Sequence, residues 1–233
     1  MSASDTNLAE RSRDFWSNAV RKNRLLYPDS EVIRFMARMV PDRTANAGKP
    51  ALDIGCGSGR HLLLLADYGF SPVGLDFSAD ALTAAREGLA ERGVTDVRLI
   101  EAPFQDADIA PESLSVVIAY GVFFIASIES AAADLARAYE VLEPGGALMI
   151  NFRDPESWFF GLGEKLGEGF YALDDRAGAY AGSNYLFLDE AQCERLVTDA
   201  GFEIVNREGI TLLKADRQER HVWNNYWLRK PTA

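Results

Sequence analysis

Residues 51–60 have the sequence Ala-Leu-Asp-Ile-Gly-Cys-Gly-Ser-Gly-Arg, and this stretch decides the fold. The apolar run Ala51–Ile54 has the length of a buried strand and ends at a cluster of glycines. Residues 58–68 then carry leucines and alanine at helical spacing. The stretch therefore predicts a strand, a tight turn and a helix. The N–H groups of such a turn favour an anionic or electron-rich ligand group.

Strand-like and helix-like segments continue to alternate after this first unit, which is typical of a parallel sheet. The further predicted strands are 72–75, 97–100, 114–119 and 147–152, and the further predicted helices are 79–92, 129–142 and 189–200. Two last strands, 202–213 and 222–228, flank a charged turn and predict an antiparallel hairpin. The predicted fold class is α/β, with a Rossmann-like seven-stranded mixed sheet, helices on both faces and a terminal antiparallel hairpin.

Two segments lie outside this alternation. Residues 1–49 suggest helices around Phe15-Trp16 and at Val32–Met39, and we expect them to form an N-terminal helical cap on a main domain at 50–233. Residues 153–188 are rich in glycine and aromatic side chains and have little periodicity. Long segments of this kind are often functional, so we expect a mobile lid insert or a substrate platform there.

Composition and charge exclude several classes of protein. The 24 basic and 35 acidic side chains give a net charge of −11, which repels phosphate backbones and anionic membranes. Cys56 and Cys193 lack the spacing of a metal site and suggest reduced thiols. The longest apolar run, 116–126, is too short to span a membrane. We expect a cytoplasmic protein that binds no nucleic acid, membrane or metal, and the sequence leaves its oligomeric state open.

The glycine spacing argues against two common phosphate-binding motifs. Glycines occupy positions 55, 57 and 59, and Arg60 stands where a dinucleotide fingerprint has its third glycine. No Lys-Ser or Lys-Thr pair follows, as a P-loop requires. Pyrophosphate binding is therefore disfavoured.

Three features together resemble class I S-adenosylmethionine (SAM)-dependent methyltransferases. They are the D-x-G-x-G-x-G stretch, the acidic Asp76 at the end of the second predicted strand, and Leu-Glu-Pro-Gly-Gly at 142–146 before the fifth. The resemblance covers about residues 51–152. It implies SAM as the cofactor and methyl transfer to an O or N nucleophile of a small molecule, such as a sugar or a natural-product intermediate. The alternatives are a non-catalytic SAM-binding or scaffold protein and, with less support, a nicotinamide-dependent oxidoreductase.

The resemblance also implies a set of cofactor contacts. Asp76 would bind the ribose hydroxyls, Arg60 the carboxylate of the methionine moiety, and Phe77 with Phe104 the two faces of adenine. The full set of expected cofactor residues is Trp16, Tyr27, Asp53, Gly55, Cys56, Gly57, Gly59, Arg60, Asp76, Phe77, Pro103, Phe104 and Tyr120.

Adenine recognition departs from the family pattern. Members often have Gly-Asp after the third strand, but this chain has Ala102-Pro103. The candidates for binding the adenine amino group are Glu101, Gln105 and backbone groups beside Phe104, and the sequence does not decide among them.

The region expected beside the reactive methyl contains no obvious base. Residues 119–126 hold no His, Asp, Glu or Lys, and Phe123-Phe124-Ile125 replaces a histidine common in small-molecule members. Either the acceptor is already nucleophilic, or a base comes from the lid or the hairpin, where His221 is the candidate. We expect Tyr120 and Arg153 to orient the acceptor. The Asn/Asp-Pro-Pro-Tyr element of DNA amino-methyltransferases is also missing from this region.

Overall fold

The computed structural model describes Phe15 and residues 25–232. From residue 25 onwards the helices are α1 Ser30–Met39, α2 Arg43–Asn46, α3 Arg60–Asp67, α4 Ala79–Ala90, α5 Ile128–Val141 and α6 Glu190–Asp199. The strands are β1 Pro50–Ile54, β2 Ser71–Asp76, β3 Arg98–Glu101, β4 Leu114–Ala119, β5 Leu142–Arg153, β6 Gly163–Gly167, β7 Phe170–Leu173, β8 Asn184–Leu186, β9 Glu203–Lys214 and β10 Glu219–Arg229. Short 3₁₀ turns lie at Phe104–Asp106 and Asp175–Tyr180.

Seven strands form the main sheet in the order β3-β2-β1-β4-β5-β10-β9. The first five of these are parallel, and β10 runs antiparallel to both β5 and β9. The predicted seven-stranded mixed sheet with a terminal hairpin is confirmed. Because the carboxyl ends of parallel strands meet at one edge, the loops after β1, β2, β4 and β5 gather there.

Helices cover both faces of this sheet, as predicted. Side chains alternate along each strand, so Leu52 and Val117 face the core beneath α5 and α6, whereas their neighbours Ala51 and Val116 face the core beneath α1, α3 and α4. All four of these side chains are fully buried. Burial on both faces explains why the strands appear in the sequence as continuous apolar runs.

Side-chain caps fix where several helices begin. The carboxylate of Asp189 accepts from the Gln192 N–H at 2.7 Å, while the Gln192 side chain accepts from the Asp189 N–H at 3.0 Å. This reciprocal capping box starts α6. The hydroxyls of Ser78 and Ser127 cap α4 and α5 in a similar way.

Residues 153–188 have more regular structure than the sequence predicts. They contain a second, antiparallel sheet in the order β6-β7-β8, together with a 3₁₀ turn. Its strands have only 5, 4 and 3 residues, which is too short for a clear periodicity. Phe159, Tyr185 and Phe187 are buried in the same core as α5 and α6, so the insert is anchored to the main domain.

Helix α1 agrees with the helix expected at 32–39, and Phe15 is helical. Trp16 lies outside the described residues. Within the described part of the chain, no helix is both long and apolar enough to cross a bilayer.

Candidate cofactor and acceptor site

The loop after β1 has a backbone that only glycine adopts easily. Gly55, Gly57 and Gly59 have φ angles of +66°, +53° and +85°. A Cβ on Gly55 would also lie 2.8 Å from a methyl carbon of Val122. The positive φ angles alone require glycine here, so the loop is a shaped turn whether or not a ligand is bound.

Asp76, at the end of β2, faces this loop. One carboxylate oxygen accepts from the Gly57 N–H at 3.0 Å and the other from the Ser78 N–H at 2.9 Å. Burial raises the pKa of Asp76 in spite of these hydrogen bonds. Each carboxylate oxygen has a second lone pair, so Asp76 can still accept hydrogen bonds from two ligand hydroxyls.

A cavity of about 430 Å³ opens beside Asp76, within the range of small-molecule sites. Six of the residues expected to bind the cofactor line it: Gly55, Gly57, Asp76, Phe77, Pro103 and Phe104. The lining also includes Ile54, Leu75, Ser78, Ala102, Gln105, Gly121, Val122, Ile125, Ala126, Ser130 and Asp134. The cavity therefore joins the ends of β1, β2 and β4 to the region after β3.

Helix α5 supplies a wall of the cavity that sequence reasoning missed. The Gln105 amide donates to the Asp134 carboxylate at 2.7 Å, and burial raises the pKa of Asp134. Of the side chains considered for adenine recognition, Gln105 lines the cavity and Glu101 does not. Ser130 and Asp134 are four residues apart, so they share a helix face, and this spacing was the available signal.

Asp53 and Arg60 belong to an ionic network beneath the loop rather than to the cavity lining. The ring of His61 lies between two carboxylates, with Nδ1 3.4 Å from Asp53 Oδ1 and Nε2 3.3 Å from Asp29 Oδ2. Arg60 pairs with Asp29 at 2.7 Å. Burial alone would lower the pKa of His61, but the two carboxylates outweigh it and raise the pKa. The expected direct contacts of Asp53 and Arg60 with the cofactor stay predictions.

Three further expected cofactor residues also lie outside the cavity lining. Cys56 is buried, its Sγ would lie 3.0 Å from a Cβ on Gly74, and burial raises its pKa, so the thiol packs as a small apolar group. Gly59 is the N-cap of α3. Tyr27 is 76% exposed and lies beneath the guanidinium of Arg92.

Tyr120 directly follows β4 and packs edge-on against His61, with 6.1 Å between ring centroids. Burial is the main cause that raises the pKa of its phenol, with Asp29 and Glu31 adding to it. The hydroxyl is therefore protonated at neutral pH and has a proton to donate. Tyr120 is not part of the cavity lining, and its contact with the cofactor is still a prediction.

Arg153 and His221, predicted from distant parts of the sequence, lie in one aromatic cluster. The Arg153 guanidinium stacks 3.8 Å from the centre of the Trp223 ring, and His221 stacks on the same tryptophan at 5.8 Å. Burial lowers the pKa of His221, so its imidazole is neutral at pH 7. The structure brings together two of the three candidate catalytic residues.

The fold and this site define the class of protein: a Rossmann-like α/β domain with a small-molecule cavity at the carboxyl edge of its parallel strands. Residues 51–146 match the family model described as a methyltransferase domain. This match and the relatives below support the class I SAM-dependent methyltransferase family for this chain.

Named relatives agree with this assignment. A ubiquinone biosynthesis O-methyltransferase from Pseudomonas aeruginosa is 30% identical over 126 residues, or 53% of each chain. A dTDP-3-amino-3,4,6-trideoxy-α-D-glucopyranose N,N-dimethyltransferase from Streptomyces venezuelae is 30% identical over 140 residues, 60% of this chain and 54% of that protein. This chain spans about half the length of these curated relatives.

A solved structure extends the likeness in fold to nearly the whole chain. It is the 1,6-didemethyltoxoflavin-N1-methyltransferase of Burkholderia thailandensis, crystallised with S-adenosylhomocysteine. The TM-score is 0.68 at 19% identity, over 99% of this chain and 92% of that one. Among the described residues of the present chain, no cluster of His, Cys, Asp and Glu could hold a metal ion.

Proposed function

We propose that this protein transfers a methyl group from SAM to an O or N nucleophile of a small molecule, such as a sugar or a natural-product intermediate. One observation carries the proposal: the cavity that Asp76 and the glycine loop form at the carboxyl edge of the sheet. The family assignment and the small-molecule methyltransferases among its relatives support it.

The residues around the cavity fit an adenosine group. Asp76 offers carboxylate lone pairs suited to two neighbouring hydroxyls, and Phe77 and Phe104 offer aromatic surface to a planar base. Gln105 and Asp134 place an amide and a carboxylate in the same lining, which suits the donors and acceptors of a base edge. We propose these five side chains as the ones that hold the nucleoside part of SAM.

SAM, when bound, supplies a methyl group made electrophilic by its sulfonium. The chain then has to orient the acceptor and exclude water, and such positioning is worth about 7–11 kcal/mol in well-oriented systems. We assign the orientation to Tyr120, a protonated phenol, and to Arg153, a buried cation. Either an acceptor that is already nucleophilic needs no base, or the neutral imidazole of His221 accepts the proton.

We further propose four features of the protein as a whole. Residues 1–49 act as a helical cap, and residues 153–188 close over the acceptor. The net charge of −11 disfavours a nucleic-acid substrate. Cys56 and Cys193 are unpaired and buried, which suits a reducing cytoplasm.

Ligand-induced thermal stabilisation tests the choice of cofactor. SAM and S-adenosylhomocysteine at 100 times their dissociation constant should add about 2.7 kcal/mol to the free energy of unfolding, whereas NAD should add nothing. Stabilisation by NAD alone would favour an oxidoreductase. Cofactor binding without methylation in an acceptor screen with labelled SAM would favour a scaffold protein.

Substitution of Asp76 tests where the nucleoside binds. We expect Asp76→Ala to weaken S-adenosylhomocysteine binding by about 1.5–3 kcal/mol, because buried hydroxyls lose a charged acceptor. Calorimetric titration measures this loss, with thermal unfolding to check that the variant is folded. Asp96→Ala, which removes an exposed carboxylate outside the cavity, is the matched control. Unchanged affinity in Asp76→Ala would place the nucleoside elsewhere.

A further inference from the structure

Arg153 is a buried cation that the described protein does not neutralise. Arg153 is only 4% exposed. Its side-chain atoms Nε and Nη1 have no hydrogen-bond partner among the described residues. No described carboxylate lies within ion-pair distance of it. Lys230, another buried cation, differs: its ammonium binds Glu112 at 3.2 Å and the Leu142 carbonyl at 2.8 Å.

The surroundings of Arg153 form an aromatic cage, defined here as Phe159, Tyr180, Tyr185 and Trp223. The guanidinium carbon lies 5.1, 5.7, 6.0 and 3.8 Å, respectively, from the centres of these rings. Burial lowers the pKa of the Arg153 guanidinium, and the hydroxyls of the two tyrosines act against this effect. Ring faces and neutral hydroxyls hold the cation in place, but they do not cancel its charge. A buried charge left without a counter-ion is costly, so the cage is suited to a ligand that brings one.

The cage lies at the carboxyl end of β5, on the sheet edge where open α/β sheets bind their ligands. Arg153 is the last residue of β5, and its main chain is fixed by pairing with Trp223 of β10 and by the Leu188 N–H, which donates to its carbonyl at 2.8 Å. Its charge acts on the phenol of Tyr120, at the end of the neighbouring strand β4. Tyr180 and Trp223 are only half-buried, so the cage lies near the protein surface.

We propose that Arg153 binds a carboxylate of the methyl acceptor, and that the acceptor is a small planar molecule whose ring packs against the aromatic cage. A single cation is neutralised by one carboxylate, whereas a phosphate dianion would leave excess negative charge buried beside it. This inference rests on the proposed methyl-transfer function and specifies its substrate class.

Calorimetric titration with benzoate, in the presence of S-adenosylhomocysteine, tests the inference. Wild-type protein should bind benzoate but not benzamide, a neutral molecule of the same shape. Arg153→Met should lose at least about tenfold in benzoate affinity and keep its S-adenosylhomocysteine affinity, because it removes the charged donor alone. Arg153→Lys should recover part of the loss. Arg176→Met, which removes an exposed cation in the same insert, is the control and should bind benzoate as wild type does.

The outcomes separate this inference from the proposed function. If S-adenosylhomocysteine binds but benzoate does not, or if Arg153→Met binds benzoate unchanged, the carboxylate site is wrong and the methyltransferase proposal stands. Binding of inorganic phosphate in place of benzoate would also overturn it. If S-adenosylhomocysteine itself fails to bind, the proposed function fails and this inference falls with it.

Discussion

His61 links the first glycine loop to the segment before α1. Its imidazole contacts Asp53 of β1 and Asp29, and Asp29 in turn pairs with Arg60. Two carboxylates, an arginine and a histidine thus form one network, in which Asp29 comes from outside the glycine-loop region. Only Asp53 and Arg60 were predicted to be functional, since the sequence gives no sign that a histidine lies between two carboxylates.

The raised pKa of His61 makes its stabilising effect depend on pH. Because the folded pKa lies above the unfolded value of about 6.5, the contribution is complete below about pH 6.5 and is lost as pH rises through the folded pKa. We expect His61→Gln to lower the free energy of unfolding more at about pH 5.5 than at about pH 9. Urea denaturation at both pH values measures the two differences.

His221 is expected to show the opposite pH dependence of stability. Its folded pKa is lowered by burial, so its contribution is present above the unfolded pKa and is lost as pH falls. His221→Gln should therefore cost more at the higher pH. A loss in His61→Gln that is equal at both pH values would refute the raised pKa of His61.

At the level of elements, the main sheet could be predicted from the sequence, but the small sheet could not. The strands β1, β2 and β4 are buried on both faces, so they are continuous apolar runs bounded by turns, and their positions agree with prediction within one or two residues. Strands β6 to β8 have only three to five residues, β6 is largely exposed and β8 is buried, and their pairing depends on tertiary contacts with the core.

Part of the candidate site could likewise be predicted from the sequence, and part could not. The glycine loop and Asp76 lie next to predicted strands, so their position follows from the sheet order. The α5 wall and the aromatic cage come from elements that meet only after folding. The spacing of Ser130 and Asp134 indicates a shared helix face but not that this face lines the cavity, and no local pattern indicates the cage. Arg153 and His221 were predicted individually, but their shared tryptophan was not.

The insert containing β6 to β8 has exposed trypsin sites that test the predicted lid. Lys165 and Arg176 are exposed there, and Arg217 is exposed outside the insert, in the turn between β9 and β10. We expect cleavage after Lys165 and Arg176 to slow when S-adenosylhomocysteine and benzoate are both bound, because closure reduces local opening. Cleavage after Arg217, followed by mass spectrometry in the same samples, should not change. Equal cleavage of the insert with and without ligands would count against a lid.

At the scale of the whole molecule, the two sheets share one hydrophobic core. Phe187, beside β8, has its ring 5.3 Å from that of Phe159, and both side chains are buried with the apolar faces of α5 and α6. The backbone bridge between Arg153 and Phe187 joins the two sheets directly. An insert that shares its core with the main domain cannot unfold alone without exposing that core.

We therefore expect a single cooperative unfolding transition, and we expect Phe187→Ala to destabilise the whole molecule. The ring is 1% exposed, and loss of a buried phenylalanine typically costs about 3–5 kcal/mol. Differential scanning calorimetry should show one peak in both proteins, shifted to lower temperature in the variant. Val205→Ala, at a side chain 48% exposed on the edge strand β9, should change the free energy of unfolding by no more than about 0.5 kcal/mol. Two separate peaks, with only the lower one moved by Phe187→Ala, would mean that the insert folds as an independent unit. Phe159, Tyr180 and Tyr185 of the aromatic cage would then be free to detach from the sheet that carries Arg153 and Trp223.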